Sequence, residues 1–293
     1  MLLVILLKKI KNAIDFVLNK LSIIVYLPEL LSRKGHVYVS YAIPRWKKNN
    51  VNFGDDINAV LVEFFSGKKV IPYQFAWFPQ KRFLCIGSVL QWYSSPNAVV
   101  WGTGMLRKDF VKKPKKIYAV RGPKTRDVLL KQGIECPMVY GDPALLLPYI
   151  YKPKLEKKYK ISIVPHAIER TFFEGEKASC NDAHFIDIVH YGSWKNFIDE
   201  ICSSEVVLTS SLHAVIVADA YGIPNLWCQF SDYIANDDCF KFHDYFASVK
   251  KDVVKPYDLR GLSLNAAKEE ALRTWVPPKI DLSMLLKNSP FSH

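Results

Sequence analysis

Along the opening segment, apolar residues recur at Leu3, Leu6, Leu7, Ile10, Ala13, Ile14, Val17, Leu18 and Leu21, while Lys8, Asn12, Asp15 and Asn19 fall on the opposite face. This spacing predicts an amphipathic helix. The uninterrupted apolar run before Lys8 is far shorter than the roughly 20 residues needed to cross a bilayer. Such a helix has two readings: it lies in a lipid interface with basic residues on its polar side, or it packs on the body of the protein. Amphipathicity alone does not separate them.

From Val37 onward the pattern changes. Short apolar runs (HVYVSYAI, RFLCIGS, AVVWGTG, KIYAVRG and MVYGDPAL) alternate with helical patterns such as Asn58 to Phe65. A second series follows the charged connector KPKLEKKYK, with ISIVPH, FIDIVH, EVVLTSSLH and IPNLWC as strands and helices near Trp194 to Cys202 and Leu212 to Tyr221. Strands alternating with helices predict βα units and mostly parallel sheets. The expected organisation is an amphipathic basic helix over 1–34, one α/β domain over 35–155, a second over 156–260 and a helical tail over 261–293. In the tail, LNAAKEEALRTW reads as a helix with Ser263 as its N-cap, stopping before Pro277 and Pro278.

Composition narrows the classes. A chain of 293 residues that is 49% hydrophobic and 23% charged buries a substantial core and is not disordered. Its net charge of +12 is uneven, because residues 1–48 hold nine Lys/Arg and two Asp/Glu. No basic stripe with interleaved aromatics and no nucleic-acid reading module is present, so nucleic acid is not an expected partner. An anionic lipid surface or a phosphorylated substrate suits the charge better. Cys85, Cys136, Cys180, Cys202, Cys228 and Cys239 are widely spaced, form no CxxC pair and follow no cleavable signal sequence. They read as reduced, mostly buried thiols of a cytoplasmic enzyme. With no HExxH, clustered Cys/His set or GxxxxGK[ST], metal and nucleoside-triphosphate chemistry lose support.

Several strands end in small or glycine-bearing turns: NFGDD at 52–56, IGS at 86–88, WGTG at 101–104, RGPKTR at 121–126, YGDPAL at 140–145 and TSSLH at 209–213. In α/β proteins such turns line the ligand crevice. Glycine admits a ligand close to the backbone, and the following helix N-termini offer free N–H groups to an anion.

Taken in order with VPH, SSLHAVIVADAYGIP and KFHDYF, these turns resemble the polysaccharide pyruvyl transferase family over about Asn52 to Phe246. The resemblance implies two Rossmann-like domains facing a cleft, as in GT-B glycosyltransferases. It also implies phosphoenolpyruvate as the donor substrate, a lipid-linked or nucleotide-linked saccharide as the acceptor, and no metal or cofactor in the chemistry. In the family the histidine corresponding to His213 is regarded as catalytic. Protonating the methylene carbon of an enol ether needs a general acid that works near neutral pH, which suits histidine. The corresponding arginine implies that Arg121 binds the donor's anionic groups, with Lys124 beside it, although an arginine tying two loops together would look the same. Ser210, Ser211 and the Leu212 amide form either an anion-binding turn or a plain helix cap.

Asn52, Asp55 and Asp56 are candidates to orient an acceptor hydroxyl or take its proton, with helix capping as the alternative. His166 and His243 either face the substrates or are satisfied structural histidines. Asp142 reads as a turn-fixing residue before Pro143. One family branch has arginine where this chain has Ser211, which leaves open which cation stands in. Ala214 stands where many relatives have glycine. The rival readings are a GT-B glycosyltransferase using a nucleotide sugar and a non-catalytic, membrane-associated partner of glycan assembly.

Overall fold

Two five-stranded parallel sheets organise the chain. The computed structural model describes residues 2–44, 52–170, 183–232, 239–261 and 263–291, with side chains from Ile10 onward. The first sheet contains β1 (His36–Val39), β2 (Lys69–Pro72), β3 (Arg82–Leu84), β4 (Ala98–Trp101) and β5 (Lys116–Ala119) in the order β2-β1-β3-β4-β5. The second contains β6 (Ser162–Val164), β7 (His184–Phe185), β8 (Val207–Thr209), β9 (Asn225–Gln229) and β10 (Tyr257–Asp258) in the order β10-β9-β8-β6-β7. Counted within its own half, each sheet has the same order, 2-1-3-4-5. In each, the winding direction reverses between the first and third strands, and ligands of open α/β sheets bind beyond the carboxyl ends of strands at such a switch point.

The longer helices are α1 (Leu2–Leu21), α2 (Phe53–Ser66), α3 (Pro123–Lys131), α4 (Trp194–Cys202), α5 (Leu212–Ala220), α6 (Phe240–Ser248), α7 (Leu264–Thr274) and α8 (Leu282–Lys287). Helix α5 is the most deeply enclosed, buried from Ala214 through Asp219. It has no polar face, as its sequence LHAVIVADA requires. α3 starts with Pro123 after an extended Gly122, the position where proline's fixed φ and missing N–H cost nothing. α7 follows Ser263 as read, although that serine makes no side-chain capping bond.

Several expectations shift. α2 begins at Phe53 rather than near Asn58, because the Asn52 side chain accepts from Gly54 N at 2.9 Å and caps the helix. MVYGDPAL does not form a full strand. Tyr140 makes a single bridge to Val120, after which Gly141 takes φ 134° and turns the chain into Pro143. Of FIDIVH only Phe185 is in a strand, the two-residue His184–Phe185, because Asp187 Oδ1 accepts from Val189 N and His190 N and closes a turn. β2, β10 and α6 are elements beyond those expected. Cys85, Cys136 and Cys228 are buried, Cys202 and Cys239 partly so, and no disulfide joins these five to one another. Cys180 lies outside the described residues.

The tail returns to the first half. α7 packs on β8 and β9, but beyond it Trp101 Nε1 donates to Leu285 O at 3.0 Å. Phe291 packs on Phe83 and Trp101, with ring centroids 4.7 and 5.7 Å apart.

Candidate active site

Loops following strands of both sheets meet at the start of α2. Phe53 N donates to Ile188 O at 2.9 Å, and the Phe53 ring stacks on Phe197 at 4.0 Å. Tyr191 OH donates to Asp56. The first turn of α2 therefore belongs to the first half but is seated on the second.

His213, in the first turn of α5, stands against this junction. A β-carbon on Gly54 would fall 2.1 Å from His213 Nδ1 and 2.3 Å from Cε1, so the imidazole occupies the space that only glycine leaves open. Gly87, beyond β3, faces the other nitrogen: a β-carbon there would lie 4.0 Å from Nε2. The Gly87 turn is fixed from two sides. Asn58 Oδ1 accepts from Ile86 N at 2.9 Å, and Thr103 Oγ1 donates to Gly87 O at 2.7 Å. The switch points of both sheets thus converge on one imidazole.

The surroundings are cationic. Burial, then Lys241, Arg121 and His166, push the His213 imidazole down to about 3 from its ordinary 6.5. Burial and Lys241 likewise push His166, beyond β6, down to about 4. His166 N donates to Ser210 Oγ at 2.8 Å, and Ser210 Oγ donates to the buried Glu169, which also accepts from Ser231. The first-turn N–H groups of α5 have no intrahelical acceptors, as helix geometry dictates, and add partial positive charge. Two neutral histidines, a largely buried lysine and a helix N-terminus thus stand together, a set whose chemistry favours an anion.

Comparison with known proteins agrees in sequence. The polysaccharide pyruvyl transferase profile matches residues 50–231, well over half of the chain. The chain belongs to the polysaccharide pyruvyl transferase family. It is 29% identical over 208 residues to the succinoglycan biosynthesis protein ExoV of Rhizobium meliloti, a match covering 68% of this chain and 62% of that protein. It is 27% identical over 237 residues to an uncharacterised protein of Acanthamoeba polyphaga mimivirus, covering 78% of this chain and 80% of that one. A functionally uncharacterised Klebsiella pneumoniae protein of known structure aligns at 17% identity with a TM-score of 0.43, over 78% of this chain and 92% of that one.

In this pyruvyl transferase family member the residues singled out from sequence divide into two sets. His213, His166, Ser210, Ser211, Leu212, Asp55 and Asp56 lie on the converging strand-end loops or in the first turns of the helices that follow them. Asn52 is the α2 cap rather than a free polar group. Neither aspartate caps α2: Asp56 holds Tyr191, while Asp55 accepts from Ala42 N at 3.3 Å and burial pushes its carboxyl up to about 6. Capping is not the serines' role either, since Ser211 makes no side-chain cap bond and Ser210 is committed to Glu169.

Arg121 is fully buried. Its Nε donates to Asp244 Oδ2 at 3.1 Å, one terminal nitrogen to Met105 O at 2.7 Å and the other to Ser88 Oγ. Asp244 also accepts from Thr125 N and Oγ1 at 2.8 and 2.7 Å, so the arginine ties loops of the first half to α6. In this conformation Arg121 acts on His213 through its field, with no exposed surface for a ligand. Lys124 is a correction: it is exposed and lines a separate concavity with Lys108, Asp109 and Asp127, because the turn of α3 that points Thr125 inward at Asp244 points Lys124 outward. His243 lies edge-on to Trp227 at 5.9 Å. Asp142 accepts from Ala144 N at 3.0 Å and fixes the turn, as read.

Lys241 and Glu169 were not foreseen. Lys241 lies two residues from the KFHDYF histidine, and Glu169 three residues after His166. Neither stands in a glycine-bearing turn.

Proposed function

We propose that this chain moves the enolpyruvyl group of phosphoenolpyruvate onto a pair of sugar hydroxyls, forming a cyclic pyruvate ketal on a cell-surface glycan. The observation that carries the proposal is the seat of His213 against Gly54 and Gly87 in a cationic surrounding, at the switch points of both sheets. The two halves act as the lobes of a GT-B-like cleft, each a Rossmann-like domain. Similarity to a protein named for succinoglycan biosynthesis supports an exopolysaccharide or capsule, with a lipid-linked or nucleotide-linked saccharide as acceptor and a cytoplasmic site of reaction.

The chemistry follows from charge. The donor's phosphate and carboxylate enter beside Lys241, within the field of Arg121, and meet the N-terminus of α5. Their negative charge reverses the penalty on the imidazolium, so His213 takes up a proton as the donor binds. His213 then gives that proton to the methylene carbon, which becomes a methyl group and leaves an oxocarbenium-like centre at the adjacent carbon. A sugar hydroxyl forms a C–O bond there and loses its proton to Asp55, whose raised carboxyl suits it to act as a base near neutral pH. The bond from that carbon to the phosphate oxygen breaks, and inorganic phosphate leaves. The second hydroxyl adds, its proton passing to phosphate or solvent, and the ketal closes.

The test is a phosphate-release assay with phosphoenolpyruvate and a panel of lipid-linked and nucleotide-linked galactose, glucose and mannose acceptors. Release that yields a pyruvate-ketal product and falls by about 10²–10⁴-fold in His213→Ala supports the proposal. Tight binding of a nucleotide sugar with no release from phosphoenolpyruvate replaces it with a glycosyltransferase.

A further inference from the structure

Helix α1 leaves an apolar stripe uncovered. Ile10, Ile14, Val17, Leu21 and Ile24 are each between 46% and 57% exposed. Their spacing of four, three, four and three residues keeps them on one face. The exposed Leu27 and Leu31 extend it. A second element adds to the patch. Lys20 Nζ donates to Gln74 O at 3.0 Å and to Ala76 O, which fixes the next loop beside the carboxyl end of α1. That loop presents Trp77 and Phe78, the latter 73% exposed, followed by the exposed Lys81. The inner side of the same region is firmly seated, since Ser22 and Tyr26 are buried and Tyr26 packs on Phe75 at 5.7 Å.

We infer that this face docks the protein on an anionic lipid bilayer, with α1 lying in the interface and Trp77 and Phe78 entering beside it. Charge decides between a bilayer and a second copy. The α1 sequence carries Lys8, Lys9, Lys11 and Lys20 against the single acid Asp15. At about 100° per residue, Lys11 and Lys20 fall on opposite flanks of the stripe. Two such helices packed stripe to stripe would set lysine against lysine, where a helical pair needs opposite charges flanking its seam. A surface of anionic headgroups meets the exposed Lys11 and Lys81 with complementary charge while acyl chains take up the apolar band. Aromatic rings on a neighbouring loop add nothing to a helical seam but match the preference of Trp and Phe for the lipid boundary. Among the described residues no helix is long and apolar enough to cross a membrane, so the contact lies on the surface.

Vesicle flotation of the full chain tests this without any substrate. Wild type is expected to float with phosphatidylcholine vesicles containing phosphatidylglycerol and about tenfold less with pure phosphatidylcholine, the difference shrinking in high salt. The double variant Ile14→Glu, Val17→Glu changes only exposed positions and is expected to lose flotation at an unchanged melting temperature. Trp77→Ser with Phe78→Ser provides an independent loss on a different element. Equal flotation by all three proteins, or none by wild type, overturns the inference. A dimer in sedimentation velocity that Ile14→Glu dissolves, with no flotation, identifies the stripe as a self-association seam instead.

Discussion

The imidazole of His213 lies directly over the α-carbon of Gly54, so a single added methyl group would overlap its Nδ1. Gly54→Ala is therefore expected to displace the ring rather than to perturb α2, where alanine is the better helix former. A misplacement of about 1 Å costs about a hundredfold in turnover. In the double variant with His213→Ala the methyl group finds room, so the two effects on melting temperature should not add. Additive losses would mean that the ring is not held there.

Asp244 and Arg121 form a fully buried ion pair across the two halves, with Thr125 completing the carboxylate's partners. Asp244→Ala strands a buried guanidinium and is expected to destabilise by about 3–5 kcal/mol in denaturant titration. A loss below about 1 kcal/mol would mean that the loops re-close around the arginine without their clamp.

Proton uptake should accompany donor binding. The free site holds His213 neutral at pH 7, and the anionic donor proposed above would favour its charged form. Affinity for phosphoenolpyruvate is expected to rise as pH falls through the imidazole's value in the complex. Calorimetry in buffers of different ionisation enthalpy measures the protons bound, and His213→Gln should remove that uptake. Uptake unchanged in the variant would assign the proton elsewhere. Lys241→Met should weaken donor binding while raising the imidazole's value in the free protein.

Acid stability separates two kinds of buried group. His166, near 4 in the fold against an ordinary 6.5, takes its proton more readily when unfolded. It therefore supports folding above pH 6.5, and that support falls as pH drops from there toward 4. His166→Gln should lose less stability than wild type over this range, the difference growing by up to about 1.4 kcal/mol per pH unit. Asp142 has the opposite sign, raised by burial to about 6 from 3.8, so its protonated form favours the fold and that benefit is lost as pH rises through 6. Asp142→Asn keeps the oxygen that accepts from Ala144 and should gain on wild type above pH 6. Urea titrations from pH 4.5 to 8 check both.

Much of this arrangement was legible in the sequence because strand-end turns and helix periods are local. The TSSLH turn, the RGPKTR helix start and the two strand series needed no long-range information. α6 escaped because its first residue is preceded by Cys239 in the left-handed region at φ 54°, with no serine or aspartate to mark a cap, and Lys241 was missed with it. Arg121 reads as a ligand-binding cation in isolation. Only folding brings it to Asp244, 123 residues away, and buries its charge. Glu169 gave no signal, since its serine partners lie 41 and 62 residues further along.

Trp101, at the end of the fourth strand, finds its hydrogen-bond acceptor in Leu285, and Phe83 is covered by Phe291. The first sheet therefore cannot complete its packing on the ribosome until Leu285 and Phe291 have emerged. Premature termination anywhere in the second half would leave the Trp101 indole and the Phe83 ring open to proteases, so shortened products should be cleared rather than survive as independent first domains.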